Sequence, residues 1–219
     1  ACSGRHNVCE SEDVGMPAMI YEYTGDKKLL RASEAAWEMM QTHLSPDGSP
    51  LGNELLLHRG PRASTEHCGA VEWMITNQVL TRMTGEVKYA DAVERVFFTA
   101  YPAAKSPDGL FIAYLHAANQ LVATEWNIPP WNDHDKGWSS HFFSTAHDPL
   151  CCNANGPRAI PHFVAGMAMR DSTGLTVMHY GPCKISADIA NIGNVTLRQD
   201  TAYPFEDSVR ISLEEAPLD

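Results

Sequence analysis

The sequence lacks a long apolar run. No stretch approaches the roughly 18 consecutive apolar residues that a membrane-spanning helix needs, and residues 1–6 are followed by no apolar segment of the kind found in a signal peptide. We therefore predict no membrane partner. We also expect this chain to be a processed product or a fragment of a longer protein.

Positive charge is scarce. The 16 Lys and Arg residues are outnumbered by 27 Asp and Glu residues, which gives a formal net charge of −11. Nucleic acids and anionic lipid surfaces attract basic protein faces. The charge balance therefore argues against nucleic acid as a partner, and it leaves a neutral substrate open.

Cysteine is too sparse to build the fold. Six cysteines in 219 residues are far fewer than a disulfide-based scaffold uses. Cys2 and Cys9 could form a disulfide, and Asn194-Val195-Thr196 is a glycosylation sequon. Together they favour a secreted or extracytoplasmic protein.

The remaining composition, with 44% hydrophobic and 20% charged residues, is that of a globular protein. Apolar residues spaced three and four apart predict paired helices on either side of Thr24-Gly25-Asp26 and again of Thr84-Gly85-Glu86. The first pair is predicted from Gly15 to about Gln41 and carries the stripe Met16, Met19, Ile20 and Tyr23. This repetition indicates a solenoid or a closed toroid of helix pairs, although two unrelated antiparallel pairs would give the same pattern.

A further helix is predicted from Asn155 to about Met169, and the period then changes to two. Alternation in the last 45 or so residues predicts four strands, with apolar positions at Leu175 and Val177, at Ile185, Ala187 and Ile189, at Val195 and Leu197, and at Val209, Ile211 and Leu213. We therefore predict an α+β chain with a helical domain at 1–172 and strands of a sheet domain at 173–219.

The middle of the chain, residues 100–150, is irregular and rich in aromatic residues, among them Trp126, Trp131 and Trp138 beside the polar segment 132–135. Long irregular segments in compact domains are commonly functional. Tryptophans beside Asn, Asp and His are typical of sugar-binding surfaces. Packing of loops onto a core is the alternative interpretation.

One group of residues has the composition of a metal site. Cys151 and Cys152 are adjacent, and we expect a tight bend to aim both sulfurs at one point, with Cys68, Glu54 and Glu66 supplied from far upstream. Three thiolates and a carboxylate suit zinc. Alternatively, Cys68 and Cys152 are buried apolar thiols, and Glu54 and Glu66 are solvated carboxylates at helix starts.

The motifs that carry these residues resemble a known family, the β-L-arabinofuranosidases of glycoside hydrolase family 127. In chain order, the resemblance is carried by Gly52-Asn53-Glu54, Ser64-Thr65-Glu66-His67-Cys68, Thr84-Gly85 and Cys151-Cys152 with Asn155 and Pro157. The resemblance runs along nearly the whole chain. It implies the later helices of an (α/α)6 barrel followed by the opening strands of a β-sandwich.

The resemblance also implies a site. Cys151 would be both nucleophile and zinc ligand, Cys152, Cys68 and Glu54 would complete the zinc site, and Glu66 would be the general acid/base. His6 and Tyr114 match positions that contact the sugar. The implied function is zinc-dependent retaining hydrolysis of L-arabinofuranosyl or related glycosidic bonds in a glycan or oligosaccharide.

Two other functions compete with this one. The chain could be a catalytically inactive or incomplete relative that serves as a carbohydrate-binding or structural subunit, with another chain supplying the rest of the barrel. It could also carry a structural zinc site in an unrelated helical protein.

Overall fold

The computed structural model describes residues 5–57, 59–60, 63–120, 123, 141–148 and 150–217. The chain forms two compact units, Ala1–Pro161 and His162–Asp219. The described part of the first is mainly helical and that of the second is mainly strand, which confirms the predicted α+β class. The domains at 1–172 and 173–219 stay a prediction.

Two helical hairpins dominate the first unit. They are formed by α1 (Asn7–Thr24) with α2 (Lys27–Met40), and by α3 (His67–Thr84) with α4 (Val87–Phe98). None of the helices in the described ranges is long and apolar enough to span a bilayer.

The turns of the two hairpins share one geometry. Gly25 and Gly85 have φ angles of 67° and 71°, and each donates its N–H to the carbonyl four residues earlier. The left-handed conformation is what favours glycine at the end of a helix. In both turns the preceding threonine hydroxyl accepts the next backbone N–H. The predicted pair of equivalent hairpins is therefore confirmed.

Helix α3 is the centre of the first unit. It is buried on nearly every side and packs against α1 and α4. Thr76 Oγ1 donates to the Ser11 carbonyl of α1 at 2.6 Å, and Asn77 Oδ1 accepts from Trp37 Nε1 of α2 at 2.7 Å. These buried hydrogen bonds fix the position of α3 along its axis and its rotation about that axis.

Helix α1 begins at Asn7, eight residues before the predicted start at Gly15, because its first turns bury polar side chains that give no apolar period. Its buried side includes Asn7, Glu10 and Ser11. The stripe used to predict it is exposed instead: Met16, Met19, Ile20 and Tyr23 are 51%, 38%, 49% and 88% exposed.

Short strands and irregular loops surround the start of α3. Strand β1 (Thr65–Glu66) pairs with β3 (Leu115–His116), and β2 (Ile112–Ala113) pairs with β4 (Phe143–Ser144), both antiparallel. Between α4 and β2 lies the short helix α5 (Ala100–Ala103).

The cysteine pair begins a helix and does not lie in a bend. Helix α6 (Cys151–Asn155) continues through a 3-10 turn (Gly156–Arg158) into α7 (Ala159–Ala165). The expected tight bend is therefore wrong. The helix predicted from Asn155 to about Met169 instead starts at Cys151 and ends at Ala165. It ends early because Ala168–Arg170 pairs as a strand.

The second unit contains two antiparallel sheets. One is the hairpin of β5 (Ala168–Arg170) with β6 (Leu175–Val177), and the other has the order β7-β8-β9. These last strands span Cys183–Ile189, Gly193–Thr201 and Val209–Glu215. The four predicted strands are confirmed, and β5 was missed because its first two residues were assigned to the preceding helix.

Candidate active site

The site is built where β1 ends and α3 begins. Glu66 is the last residue of β1 and the N-cap of α3, and Cys68 is the second residue of α3. The His67 N–H donates to the Tyr114 carbonyl at 2.9 Å. These backbone bonds bring Glu66, Cys68 and Tyr114 to one place.

A loop from Gly52 to Leu56 closes over this junction. Gly52 donates its N–H to the Ser64 carbonyl at 2.8 Å and accepts the Glu66 N–H at 2.9 Å. A Cβ at position 52 would lie 2.6 Å from the Leu55 carbonyl oxygen and 2.8 Å from the Asn7 side chain. Only glycine allows this approach, which explains the first residue of the Gly52-Asn53-Glu54 motif.

Glu54 has a positive φ of 108°, a conformation that non-glycine residues rarely adopt. Its carbonyl accepts the Asn7 N–H at 2.8 Å, and Asn7 Nδ2 donates to the Gly52 carbonyl at 2.9 Å. Strained backbone of this kind persists where the surroundings determine it and is common at functional sites. Asn7 was missed as a site residue; the adjacent His6 was the available signal.

Three thiols and one carboxylate converge beside this loop. Ligand atoms of Glu66, Cys68, Cys151 and Cys152 all lie within 4.8 Å of one another. The Cys68 thiol donates to Cys152 Sγ at 3.2 Å, and the Cys152 thiol lies 3.9 Å from Glu66 Oε1. Cys68 and Cys152 are buried, whereas Cys151 is exposed.

The three thiols differ in acidity. The hydrogen bond with Cys152 is the largest of several interactions that outweigh partial burial and lower the pKa of Cys151 to about 5. Burial raises the pKa of Cys152. The hydrogen bond to Cys152 lowers the pKa of Cys68, but burial and the charges of Glu66 and Cys151 outweigh it, so that pKa is raised. Cys151 is therefore the thiol that is both accessible and readily ionised, as nucleophilic cysteines are.

Tyr114 connects Cys151 to Glu54. Its hydroxyl donates to Glu54 Oε1 at 2.9 Å and accepts from the Cys151 thiol at 3.2 Å. Burial raises the pKa of Tyr114, so the hydroxyl keeps its proton. Because one hydroxyl contacts both groups, the Cys151 sulfur and the Glu54 carboxyl face the same small space.

His6 lies on the other side of the two carboxyls. Its Nε2 is 3.2 Å from Glu54 Oε2 and 3.8 Å from Glu66 Oε2. His6, Glu54 and Glu66 form a second group of potential ligand atoms within 4.8 Å. The structure thus brings together all seven predicted site residues: His6, Glu54, Glu66, Cys68, Tyr114, Cys151 and Cys152.

The surroundings of the Glu54 and Glu66 carboxyls differ from those expected for the roles predicted from the sequence. Glu66, predicted as the acid/base, groups with the three thiols, and Glu54, predicted as a ligand, groups with His6 and Tyr114. The Glu66 side chain is 0% exposed and that of Glu54 is 16% exposed. These contacts favour exchanging the two roles.

Glu66 has the pKa of a general acid but is fully buried. Burial, with smaller contributions from the Glu54 and Cys151 charges, raises its pKa to about 8. Such a pKa suits a general acid, but a fully buried carboxyl has no path to the leaving oxygen of a substrate. A cation bound among the thiols would also reverse the effect of the negative neighbours. The greater exposure of Glu54 therefore favours Glu54 over Glu66 as the acid.

The donor set fits a thiophilic metal ion. Thiolates select zinc and other soft cations, and a single carboxylate completes a four-ligand zinc site. Glu66 Oε2 is buried and accepts no hydrogen bond from the described residues. A buried oxygen without a donor is a costly feature, and a cation would satisfy it.

The predicted sugar-binding tryptophans Trp126, Trp131 and Trp138, with segment 132–135, lie outside the described residues, as does Cys2. Its suggested partner Cys9 is exposed on α1. The described aromatic residue that does reach the site is Tyr114.

Solved structures with the same fold are glycoside hydrolases. A glycoside hydrolase matches with a TM-score of 0.76 and 19% identity, over 97% of this chain and 38% of its own length. A β-L-arabinofuranosidase of glycoside hydrolase family 127 from Geobacillus stearothermophilus T6 matches with a TM-score of 0.76 and 21% identity, over 95% and 33%. A family 127 β-arabinofuranosidase matches with a TM-score of 0.77 and 19% identity, over 95% and 31%.

The chain spans about a third of the length of these structures. No curated protein sequence matches it significantly. The profile of the β-L-arabinofuranosidase catalytic domain of glycoside hydrolase family 127 matches residues 4–165, which include every candidate site residue. The chain therefore belongs to the family of β-L-arabinofuranosidase catalytic domains of glycoside hydrolase family 127.

Proposed function

We propose that this chain carries the active site of a zinc-dependent retaining glycoside hydrolase that cleaves L-arabinofuranosyl or related bonds. The observation that carries the proposal is the hydroxyl of Tyr114, which contacts both the exposed thiol of Cys151 and the carboxyl of Glu54. A retaining glycosidase needs a nucleophile and an acid/base separated by roughly 5 Å. The two hydrogen bonds, of 2.9 Å and 3.2 Å, hold the Glu54 oxygen and the Cys151 sulfur within about 6 Å of each other, which supports this arrangement.

In the first step, the Cys151 sulfur attacks the anomeric carbon. The S–C bond forms as the glycosidic C–O bond breaks, and the protonated carboxyl of Glu54 gives its proton to the leaving oxygen. Tyr114 orients the sulfur from one side, and His6 lies close enough to hold the carboxyl of Glu54.

In the second step, the Glu54 carboxylate takes a proton from water. The water oxygen bonds to the anomeric carbon, the S–C bond breaks, and Cys151 leaves as the thiolate. Its lowered pKa makes it a competent leaving group. Two displacements at one carbon retain its configuration.

Glu66, Cys68, Cys151 and Cys152 would hold the zinc ion. When bound, zinc would keep the thiols deprotonated near neutral pH and fix their direction. Glu66 ends β1 directly before α3, and the two buried thiols lie on α3 and α6, so the ion would also join these two helices.

We further propose that residues 1–172 are the later helices of an (α/α)6 barrel and residues 173–219 the first strands of a β-sandwich. The repeated hairpins and the exposed apolar stripe of α1, which a neighbouring barrel helix would cover, support this architecture. The substrate would be a glycan or oligosaccharide. An extracytoplasmic location would suit such a substrate.

The test compares Glu54→Gln, Glu66→Gln and Cys151→Ser with the wild type for zinc content and for hydrolysis of a chromogenic β-L-arabinofuranoside. We expect Glu54→Gln to retain zinc and to lose about 100-fold or more in activity, as acid/base variants do. We expect Glu66→Gln to lose zinc and activity together. Cys151→Ser should abolish hydrolysis.

The opposite pattern, with zinc lost in Glu54→Gln and kept in Glu66→Gln, would restore the roles predicted from the sequence. Activity in Cys151→Ser equal to the wild type would overturn the nucleophile assignment. The absence of zinc in the wild type would overturn the metal site.

The exposed apolar stripe of α1 favours a second candidate. In it, the chain is an incomplete or inactive relative that binds carbohydrate or needs another chain to complete the barrel. Bound zinc without hydrolysis in the wild type would favour this candidate over the first.

A further inference from the structure

We propose that Glu72, Asn155 and Arg158 form a clamp that positions the zinc-binding thiols. Glu72 lies four residues after Cys68 on α3, and Asn155 lies three residues after Cys152 on α6. Residues at these spacings share one face of a helix. The Cys68–Cys152 contact and the Glu72–Asn155 contact are therefore successive links between the same two helices.

The clamp is made of three short hydrogen bonds, one buried and two partly buried. Asn155 Nδ2 donates to Glu72 Oε1 at 3.0 Å. Arg158 Nη1 donates to the same oxygen at 2.6 Å and to Asn155 Oδ1 at 2.7 Å. Glu72 is 5% exposed and Asn155 is 9% exposed. Charge-assisted bonds of this kind are roughly twice as strong as neutral ones.

Helix α6 depends on such contacts for its position. It begins the helical segment that continues into α7, and its N-cap makes no side-chain hydrogen bond, so tertiary contacts must hold this end of the segment. Asn153 Nδ2 donates to the Ser144 carbonyl at 3.0 Å from the opposite side. Together with the Cys68–Cys152 contact, the clamp ties α6 directly to the helix that carries Cys68.

The clamp makes no contact with the cluster atoms, so it acts through the ligands. Metal ligands must be held within about 0.5 Å of their working geometry. Releasing Glu72 would let α6 shift against α3 and would separate Cys152 and Cys151 from Cys68 and Glu66. The proposal rests on the zinc site of the proposed function and assigns positioning residues beyond it.

The test measures zinc affinity by competition with a chromogenic chelator, and the absorption spectrum after loading with cobalt, for Glu72→Gln and Arg158→Met. Changes to residues behind metal ligands typically cost 10- to 100-fold in metal affinity, and we expect a loss of about that size. The cobalt spectrum should change because the sulfurs move. Arg158→Lys keeps a charged donor and should recover most of the affinity.

Thr76→Val is the matched control. It removes a buried hydrogen bond of α3 to α1, away from α6, and should lower stability while leaving zinc affinity and the cobalt spectrum unchanged. Zinc affinity in Glu72→Gln equal to the wild type would overturn the clamp, whatever the stability. Should Glu72→Gln fail to fold, Arg158→Met decides in the same way, since the Arg158 side chain is 51% exposed. A wild type that binds no zinc would overturn the clamp together with the proposed metal site.

Discussion

Glu54 and Glu66 are the same residue type, and their backbones give them different environments. Glu54 lies in a strained loop with φ of 108° and keeps a partly exposed carboxyl beside His6 and Tyr114. Glu66 ends a strand against the buried start of α3, and its side chain has no exposure. Exposure, and not residue type, therefore separates a group that can meet a substrate from one that can meet a metal ion.

Cys151 should react first with iodoacetamide in the metal-free protein near neutral pH. Its pKa is lowered to about 5, whereas burial raises the pKa of Cys9 and of Cys183. Peptide mass spectrometry after brief labelling gives the order. Cys9, which is exposed, is the internal control for access, and labelling of Cys9 before Cys151 would contradict the assigned acidity.

Part of the site follows from the sequence and part does not. All seven predicted residues meet in the structure. They could be predicted because the motifs that carry them were recognised in order along the chain. The roles predicted for Glu54 and Glu66 stay predictions, and we propose their exchange because the two side chains differ in exposure. Their roles depend on burial, which is produced by segments distant in the sequence, such as Asn7 and Tyr114.

At the scale of elements, α3 links the fold to the site. Its buried face is fixed by α1, α2 and α4, its start carries Cys68, and its second turn carries Glu72. The glycine turns at the ends of α1 and α3 set where the partner helices begin. Local sequence therefore determines the hairpins, and the second hairpin positions Cys68.

Gly85→Ala should lower the free energy of unfolding by about 1 kcal/mol, because an alanine is strained at a φ of 71°. No atom lies within 4 Å of the added Cβ, so backbone strain is the whole effect. Urea unfolding measures the change. Gly25→Ala, in the equivalent turn, should give a similar loss.

Gly60→Ala is the control for both variants. Its added Cβ also meets nothing within 4 Å, and Gly60 has no positive φ. A loss at Gly60 equal to that at Gly85 would contradict the strain argument.

At the scale of the whole molecule, the chain is two compact units with different chemistry. The first contains the titratable cluster, and the second contains the β-hairpin and the three-stranded sheet. His179 lies in the second unit, fully buried and stacked on Phe163 with ring centroids 4.9 Å apart. Its neutral form fits this apolar setting, and its charged form does not.

The second unit should lose stability as the pH falls from about 6.5 towards 4. Burial lowers the pKa of His179 from 6.5 to about 4, so the unfolded state binds more protons in that interval. The contribution of neutral His179 to the free energy of unfolding is fully present above about pH 6.5, and about 3 kcal/mol of it is lost near pH 4. Hydrogen exchange of peptides from β7 to β9 would measure it.

His179→Phe keeps an aromatic ring against Phe163 and cannot be protonated. Compared at equal pH, so that intrinsic exchange rates cancel, it should remove this part of the acid sensitivity. An equal loss of amide protection on acidification in the wild type and in His179→Phe would show that another group is responsible for the acid sensitivity.

The sequence by itself determined the class of fold, the two hairpins with their glycine turns, the last strands and the seven predicted residues that meet in the candidate site. These depend on periodicity, turn chemistry and short motifs, which are local. Only the tertiary structure decided that the cysteine pair starts a helix, that the stripe of α1 is exposed, and that Glu66, not Glu54, lies among the thiols. Burial and contact between distant segments arise when the chain packs, and no local pattern encodes them.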